Sequence, residues 1–257
     1  MSLLTIEEFR EAYLSEVNGL ALDEACEEDL KSEILIEKLY SVTCSLIEGS
    51  ERFNLTSIRE PVEIIRKHLI DSAVPFSVIF RDDGLLGCAR KGFLDVGTGA
   101  GFPLLPAAAL SESRKLGIPF TGLDSTSKKI GYVAETANKA GILAKCVSGR
   151  AEEEARGKMR SRYGMVTARA VAPLPVLLEI TAGFLMNGGV MVALKGNAEQ
   201  ELSESENAMK MLGMELLRTV TYGYEGGENR SALVFGKTGE CPAKYPRRYS
   251  EIKKRPL

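Results

Sequence analysis

An α/β fold is predicted, with a seven-stranded, mainly parallel sheet, an antiparallel C-terminal hairpin and an N-terminal helical extension. Three observations predict it. Beyond about residue 91, short apolar runs alternate with segments of helical periodicity, the pattern of a parallel sheet covered on both faces. The last two apolar runs follow one another with no helix between them, so they return as an antiparallel pair. Residues 1–75, in contrast, carry only helical periodicity.

The elements follow in order. Thr5-x-x-Glu8 makes a capping box, in which each side chain takes a free backbone N–H at a helix start. Leu35, Leu39, Val42 and Leu46 recur on one helical face, and Gly49 is expected to stop that helix. After the loop SERFNLTSIRE, Pro61 opens another helix at a position where its missing N–H costs nothing. Its expected buried stripe is Val62, Ile65 and Leu69. Strands are expected at 92–96, 119–124, 144–148, 163–168, 189–194, 216–223 and 231–236. Helices are expected at 103–112, 127–140, 150–158, 175–186 and 198–212. The resulting division is a helical segment over 1–75, a ligand-binding core over 76–240 and a basic tail over 241–257.

The 257 residues suffice for one substantial core, and 44% hydrophobic with 26% charged residues is the make-up of a soluble globular chain. No apolar run reaches membrane-spanning length. The N-terminus is acidic and amphipathic and does not read as a secretion signal. Five scattered cysteines, with no CxxC, argue against a disulfide framework and a zinc site and fit a reducing cytoplasm. Net charge is −2, yet the tail KYPRRYSEIKKRPL carries six Lys/Arg against one Glu. A phosphate contact and a merely solvated terminus both fit that tail.

Residues 93–106, FLDVGTGAGFPLLP, place Gly97, Gly99 and Gly101 directly after the first strand. Parallel sheets bind ligands beyond the carboxyl ends of their strands. The spacing is G-x-G-x-G rather than G-x-G-x-x-G, Phe102 fills the third fingerprint position, and Pro103 removes a donor that a phosphate could use. A phosphate-free, sulfonium-bearing nucleoside, S-adenosyl-L-methionine, fits better. Asp95 is placed to orient its methionine end. Asp124, followed by Ser125, ends the second strand and can accept both ribose hydroxyls. Ala151 and Glu152, after the third strand, can offer backbone groups to the adenine edge. The bland alternatives are a tight turn for the glycines and a helix cap for Asp124.

The segments FLDVGTGAGFPLLPAA, LDSTSKKIGYV, GRAEE, VTARAVAPL and VALKG resemble the bacterial ribosomal RNA small-subunit methyltransferase G family, also called glucose-inhibited division protein B. RFNLTSIREPVEIIRKHLIDSA and the basic tail are similar to further blocks of that family. The resemblance runs from about residue 50 to the end. It implies a Rossmann-like class I methyltransferase fold and methyl transfer from S-adenosyl-L-methionine to guanine N7 of 16S ribosomal RNA, in naked form or in the small ribosomal subunit. It also implies cofactor contacts at Gly97, Phe102, Ala151, Glu152 and Arg169. One departure is GENRSALVF, where an Asn stands between the Glu and Arg that many members have adjacent, and Arg230 is therefore left out of the core site.

The residues agree with that chemistry. Carbon methylation of cytosine needs a cysteine nucleophile, and there is no Pro-Cys dipeptide. Guanine N7 is an unprotonated lone pair, so no general base is required and catalysis rests on positioning, with Arg169 and Lys195 as candidates. Because N7 is hidden in the deep groove of A-form RNA, the target is expected in an opened segment held by cations. Those candidates are Arg59, Arg66, Lys67, Lys195, Arg247 and Arg248. His68, the single histidine, is read as a packed structural residue whose tautomer Asp71 fixes, and no metal is assigned. The expected form is a cytoplasmic monomer. Competing readings are a methyltransferase acting on protein or a small molecule, an RNA-binding assembly module with a vestigial pocket, and a nicotinamide oxidoreductase, which the glycine spacing disfavours.

Overall fold

The computed structural model describes residues 4–53, 55–58, 60–196, 198–223 and 230–257. The chain opens with α1 (Ile6–Asn18), α2 (Glu24–Leu30) and α3 (Glu33–Phe53). The Thr5–Glu8 capping box is formed, with Glu8 N–H donating to Thr5 Oγ1 and Thr5 N–H donating to the Glu8 carboxylate. Leu35, Leu39, Val42 and Leu46 are fully buried. The expected stop at Gly49 does not occur, because α3 runs on to Phe53. The glycine serves packing instead, since a Cβ there would lie 2.6 Å from the Tyr132 ring.

Pro61 starts α4 (Pro61–Ile64), which continues through a π-helical turn (Ile65–Ile70) into α5 (Asp71–Ile79). Val62 stays 44% exposed and is not part of the buried stripe. The wide turn shifts the inward face, so Ile64 joins Ile65, Leu69 and Ile70 in the core. Residue 75 falls inside α5, and α6 (Asp83–Arg90) extends the helical layer further.

The strands are β1 (Phe93–Val96), β2 (Phe120–Asp124), β3 (Ala144–Ser148), β4 (Tyr163–Arg169), β5 (Leu185–Lys195), β6 (Met214–Tyr222) and β7 (Arg230–Lys237). Between them lie α7 (Leu104–Ser113), α8 (Ser127–Lys139), α9 (Ala151–Glu154), α10 (Leu174–Ala182), α11 (Glu199–Glu204) and α12 (Glu206–Leu212), and α13 (Tyr249–Lys254) closes the chain. Several boundaries differ from expectation. The helix expected at 150–158 ends at Glu154 and unwinds through Gly157. That expected at 175–186 stops at Ala182 before Gly183, and β5 begins at Leu185. The helix expected at 198–212 breaks at Ser205, whose hydroxyl donates back to the Glu201 carbonyl and competes with the helical bond. Strand β6 begins at Met214 rather than 216.

The sheet order is β3-β2-β1-β4-β5-β7-β6, all parallel except β7, which lies antiparallel between β5 and β6. Period-2 alternation divides the strands between two apolar layers. Phe93, Met165, Val190 and Val192 face the N-terminal helices with α7 and α8, whereas Leu94, Val166, Met191 and Ala193 face α10, α12 and α13. No helix among the described residues is long and apolar enough to cross a membrane.

The central strand β4 is brought against α6 by Gly164, where a Cβ would stand 2.1 Å from the Cys88 carbonyl oxygen. A backbone oxygen cannot yield as a side chain can. Gly164→Ala is therefore expected to destabilise the fold by roughly 3 kcal/mol or more, as overpacking does. Gly131→Ala, on an exposed turn of α8 with nothing within 4 Å, is expected to stabilise it by about 0.5–1 kcal/mol. Urea denaturation of the two variants checks both signs.

Candidate functional site

The strand order reverses between β1 and β4, and the crevice at that switch point opens beyond the strands' carboxyl ends. The glycine turn fills it from the β1 side. Gly97 adopts φ +72°, a region L-residues avoid, and a Cβ on it would lie 2.6 Å from Val171 Cγ2. The tip of β2 holds this turn in place. Asp124 Oδ2 accepts the Gly99 N–H at 3.0 Å and Oδ1 accepts the Thr126 N–H at 2.8 Å. The carboxylate thus has a fixed orientation and keeps lone pairs for a ligand diol, and it also caps the approach to α8.

A cavity of about 210 Å³ lies here, lined by Gly97, Asp124, Ser125, Ala151 and Glu152 together with Val96, Leu123, Gly149, Arg150, Val171, Ile180 and Tyr249. The remaining residues assigned to the cofactor do not line it. Gly99 and Gly101 shape the turn, the latter because a Cβ would meet Leu105 at 2.6 Å. Asp95 is fully buried beneath the loop, with neither carboxylate oxygen hydrogen-bonded. Burial pushes its pKa up to about 7, opposed by the nearby Thr98 hydroxyl and the Arg169 guanidinium.

A second cavity, of about 400 Å³, is lined by Lys67, His68, Asp71, Arg169, Ala170, Leu194, Lys195, Gly196, Tyr222 and Arg230. Ala170 faces this cavity and Val171 the first, so the exit of β4 separates them. Ala170 holds φ 55°, and backbone strain sits at that partition. Phe102 stacks on His68 with centroids 4.9 Å apart, and Arg169 lies over the same ring at 5.5 Å. Arg169 donates to the Lys67 carbonyl at 2.9 Å and to His68 Nδ1 at 3.2 Å. His68 Nδ1 must then be the acceptor, so Nε2–H donates to Thr56 Oγ1 at 2.8 Å. Arg169 and Thr56, not Asp71, fix the tautomer. Burial, with Arg169 and Lys67 beside it, lowers the His68 pKa to about 4, and the ring is neutral near pH 7. Asp71 instead pairs with Arg230 at 3.5 Å.

The cations assigned to RNA are distributed differently. Lys67 and Lys195 line the second cavity, and Lys195 is braced by Glu201 at 2.7 Å and the Ala172 carbonyl at 2.9 Å. Arg66 makes a two-bond ion pair with Glu16, and Arg247 is bound to the buried Glu179. Arg248 is exposed at the start of α13, and Arg59 lies outside the described residues. The sequence reading missed Tyr249 and Ile180 in the first cavity and Tyr222 in the second, and Arg230, which it left out of the core site, also lines the second. Among the described residues, no three His, Cys, Asp or Glu side chains converge as metal ligands.

The sheet order, the glycine turn at its switch point and the carboxylate at the tip of β2 define a Rossmann-like fold of the class I methyltransferase type. A protein assigned as a sarcosine dimethylglycine methyltransferase from Galdieria sulphuraria has this fold, matching with TM-score 0.50 and 16% identity over 78% of this chain and 99% of that one. Residues 35–230 match the model of the family described as rRNA small subunit methyltransferase G. The ribosomal RNA small subunit methyltransferase G of Streptococcus sanguinis (strain SK36) is 37% identical over 215 residues, covering 82% of this chain and 87% of that protein. That of Streptococcus pyogenes serotype M1 is 37% identical over 216 residues, covering 83% and 87%. The chain belongs to the rRNA small subunit methyltransferase G family.

Asp95 and His68 give stability opposite pH slopes. Folded Asp95 holds its proton up to about pH 7 and the unfolded residue only to about 4, so its contribution falls as pH rises through that window. The change amounts to about 4 kcal/mol at most. Folded His68 protonates near 4 and the unfolded residue near 6.5, so its contribution rises between those values. Relative to wild type, Asp95→Asn is therefore expected to fare better at pH 7 than at pH 4.5, and His68→Gln the reverse, in urea unfolding at both pH values.

Proposed function

We propose that the chain transfers the methyl group of S-adenosyl-L-methionine to N7 of a guanine in 16S ribosomal RNA by direct in-line displacement, releasing S-adenosyl-L-homocysteine. The observation that carries this reading is the pair of cavities divided by the β4 exit, one pinned by Asp124 and the other ringed by cations around a neutral histidine.

The residues of the first cavity fit the nucleoside cofactor. Asp124 is held by two backbone N–H groups and presents its remaining lone pairs to the ribose hydroxyls. Gly97 lets the ligand approach the backbone, and Ala151 and Glu152 flank the adenine. When bound, the sulfonium supplies an electrophilic methyl carbon.

The second cavity suits the acceptor base. Lys67, Arg169, Lys195 and Arg230 surround it with positive charge for the phosphate and the guanine O6 edge. N7 carries no proton, so the protein has none to remove. His68 matches that requirement, because both ring nitrogens are engaged and burial keeps the ring neutral. Rate enhancement then comes from alignment, with Arg169 held rigid by Lys67 and His68. The names of the relatives, which specify small-subunit ribosomal RNA, support RNA as the partner.

Asp124→Ala removes the acceptor for the ligand hydroxyls and for two backbone N–H groups. It is expected to weaken S-adenosyl-L-methionine binding by at least about 100-fold in calorimetry, with the far-UV circular dichroism unchanged. Unchanged affinity would refute this cavity. The acceptor is tested by digesting 16S ribosomal RNA from cells lacking the protein and measuring 7-methylguanosine by mass spectrometry. Its undiminished presence would overturn the N7 assignment.

A further inference from the structure

The charge of the C-terminal tail points to RNA, but its contacts point inward. Arg247 donates from its backbone N and from Nε to Glu179 Oε1, at 2.9 and 2.8 Å, and from its terminal nitrogen to Glu179 Oε2. The Glu179 side chain is fully buried on α10, where an unpaired carboxylate would be strongly unfavourable. Upstream, Arg160 donates to the carbonyls of Tyr245 at 2.8 Å and Cys241 at 2.9 Å, fastening the tail across the second face of the sheet. Downstream, Ile252 on α13 is fully buried in the same apolar layer.

Tyr249 lies between these anchors, two residues after Arg247 and three before Ile252, and its side chain lines the first cavity. Ala151, Val171 and Ile180 line the same cavity and contribute to its apolar part, whereas Asp124 and Ser125 give it polar groups. Glu179 and Ile180 are consecutive on α10, so one turn of helix both anchors the tail and lines the cavity. The Arg150 guanidinium lies over the Tyr249 ring, 5.7 Å from its centroid, and is itself paired with Glu152 at 3.4 Å.

We infer that Tyr249 is the purine-stacking wall of the cofactor cavity, and that the Glu179–Arg247 pair positions it by docking the tail. The inference rests on the reading of that cavity as a site for an adenosine-bearing ligand. A purine presents a flat apolar face, and an aromatic ring anchored on the cavity wall meets it with little ordering cost. Arg247 is on this account a positioning residue for the cofactor rather than a phosphate contact. The tail then belongs to the binding site as much as the glycine turn does.

Isothermal calorimetry with S-adenosyl-L-homocysteine tests it on the full chain. Tyr249→Phe, which keeps the ring, is expected to bind within about twofold of wild type, and Tyr249→Ala to lose about 10-fold or more. Because the chain contains no tryptophan, Tyr249→Trp introduces a single indole at the wall. Its emission is expected to change on titration with S-adenosyl-L-homocysteine and with adenosine alone. Undiminished affinity in Tyr249→Ala, or a silent indole in a variant that calorimetry shows to bind, would overturn the stacking wall while leaving the cavity assignment standing. Failure of the wild-type chain to bind S-adenosyl-L-homocysteine would overturn the cavity reading and the wall with it.

Discussion

The bond from Gly99 N–H to Asp124 joins the turn after β1 to the tip of β2, and the position of both cavities depends on it. A turn of alternating glycines has wide conformational freedom, and without an external tether its ordering would be costly. The tether comes from a strand neighbour in register, with Val96 beside Leu123, so sheet pairing delivers the carboxylate to the turn. Once the turn is fixed, Gly97 can pack against Val171, and Val171 in turn sets where β4 ends and where the partition between the cavities falls. This contact, with the Gly97 and Thr98 N–H groups that both donate to the Leu123 carbonyl, transmits the geometry of the sheet to the surface beyond the strand ends.

Many of the basic side chains near the site are engaged with carboxylates of this same chain. Arg66 meets Glu16, Lys195 meets Glu201 and Arg247 meets Glu179. These pairs are not equivalent. Arg66 is half-exposed and its charge remains partly solvated, whereas Arg247 neutralises a carboxylate with no exposure at all. Lys195 stands between them, partly buried and braced, with its charge still at the edge of the second cavity. Cations therefore divide by burial into those that shape the protein and those that present charge outward, a division composition does not reveal.

The hydrogen bonds of neutral His68 tie the helical extension to the carboxyl end of the sheet. The π-helical turn carries His68 and the Lys67 carbonyl, and both accept from Arg169 at the end of β4. The ring's other nitrogen reaches Thr56 in the preceding loop. Arg169 is thus held directly by the π-helical turn and, through His68, by the Thr56 loop, with Phe102 beneath it. Such a rigid cation suits a reaction in which alignment rather than proton transfer lowers the barrier.

The sequence by itself determined the strand and helix alternation, the antiparallel end of the sheet, the glycine turn and the carboxylate that follows the second strand. These are local or periodic signals, carried by apolar patterning and by backbone demands such as that at Gly97. Contacts between distant residues were decided only by the tertiary structure. Gly49 reads as a helix stop until Tyr132, far along the chain, packs onto it. Asp71 reads as the partner of His68 until the topology brings Arg169 closer. Tyr249 reads as part of a basic tail until Glu179 draws that tail across the sheet. In each case the deciding partner lies dozens of residues away or more, where periodicity carries no information and only the packed sheet and its covering helices bring the groups together.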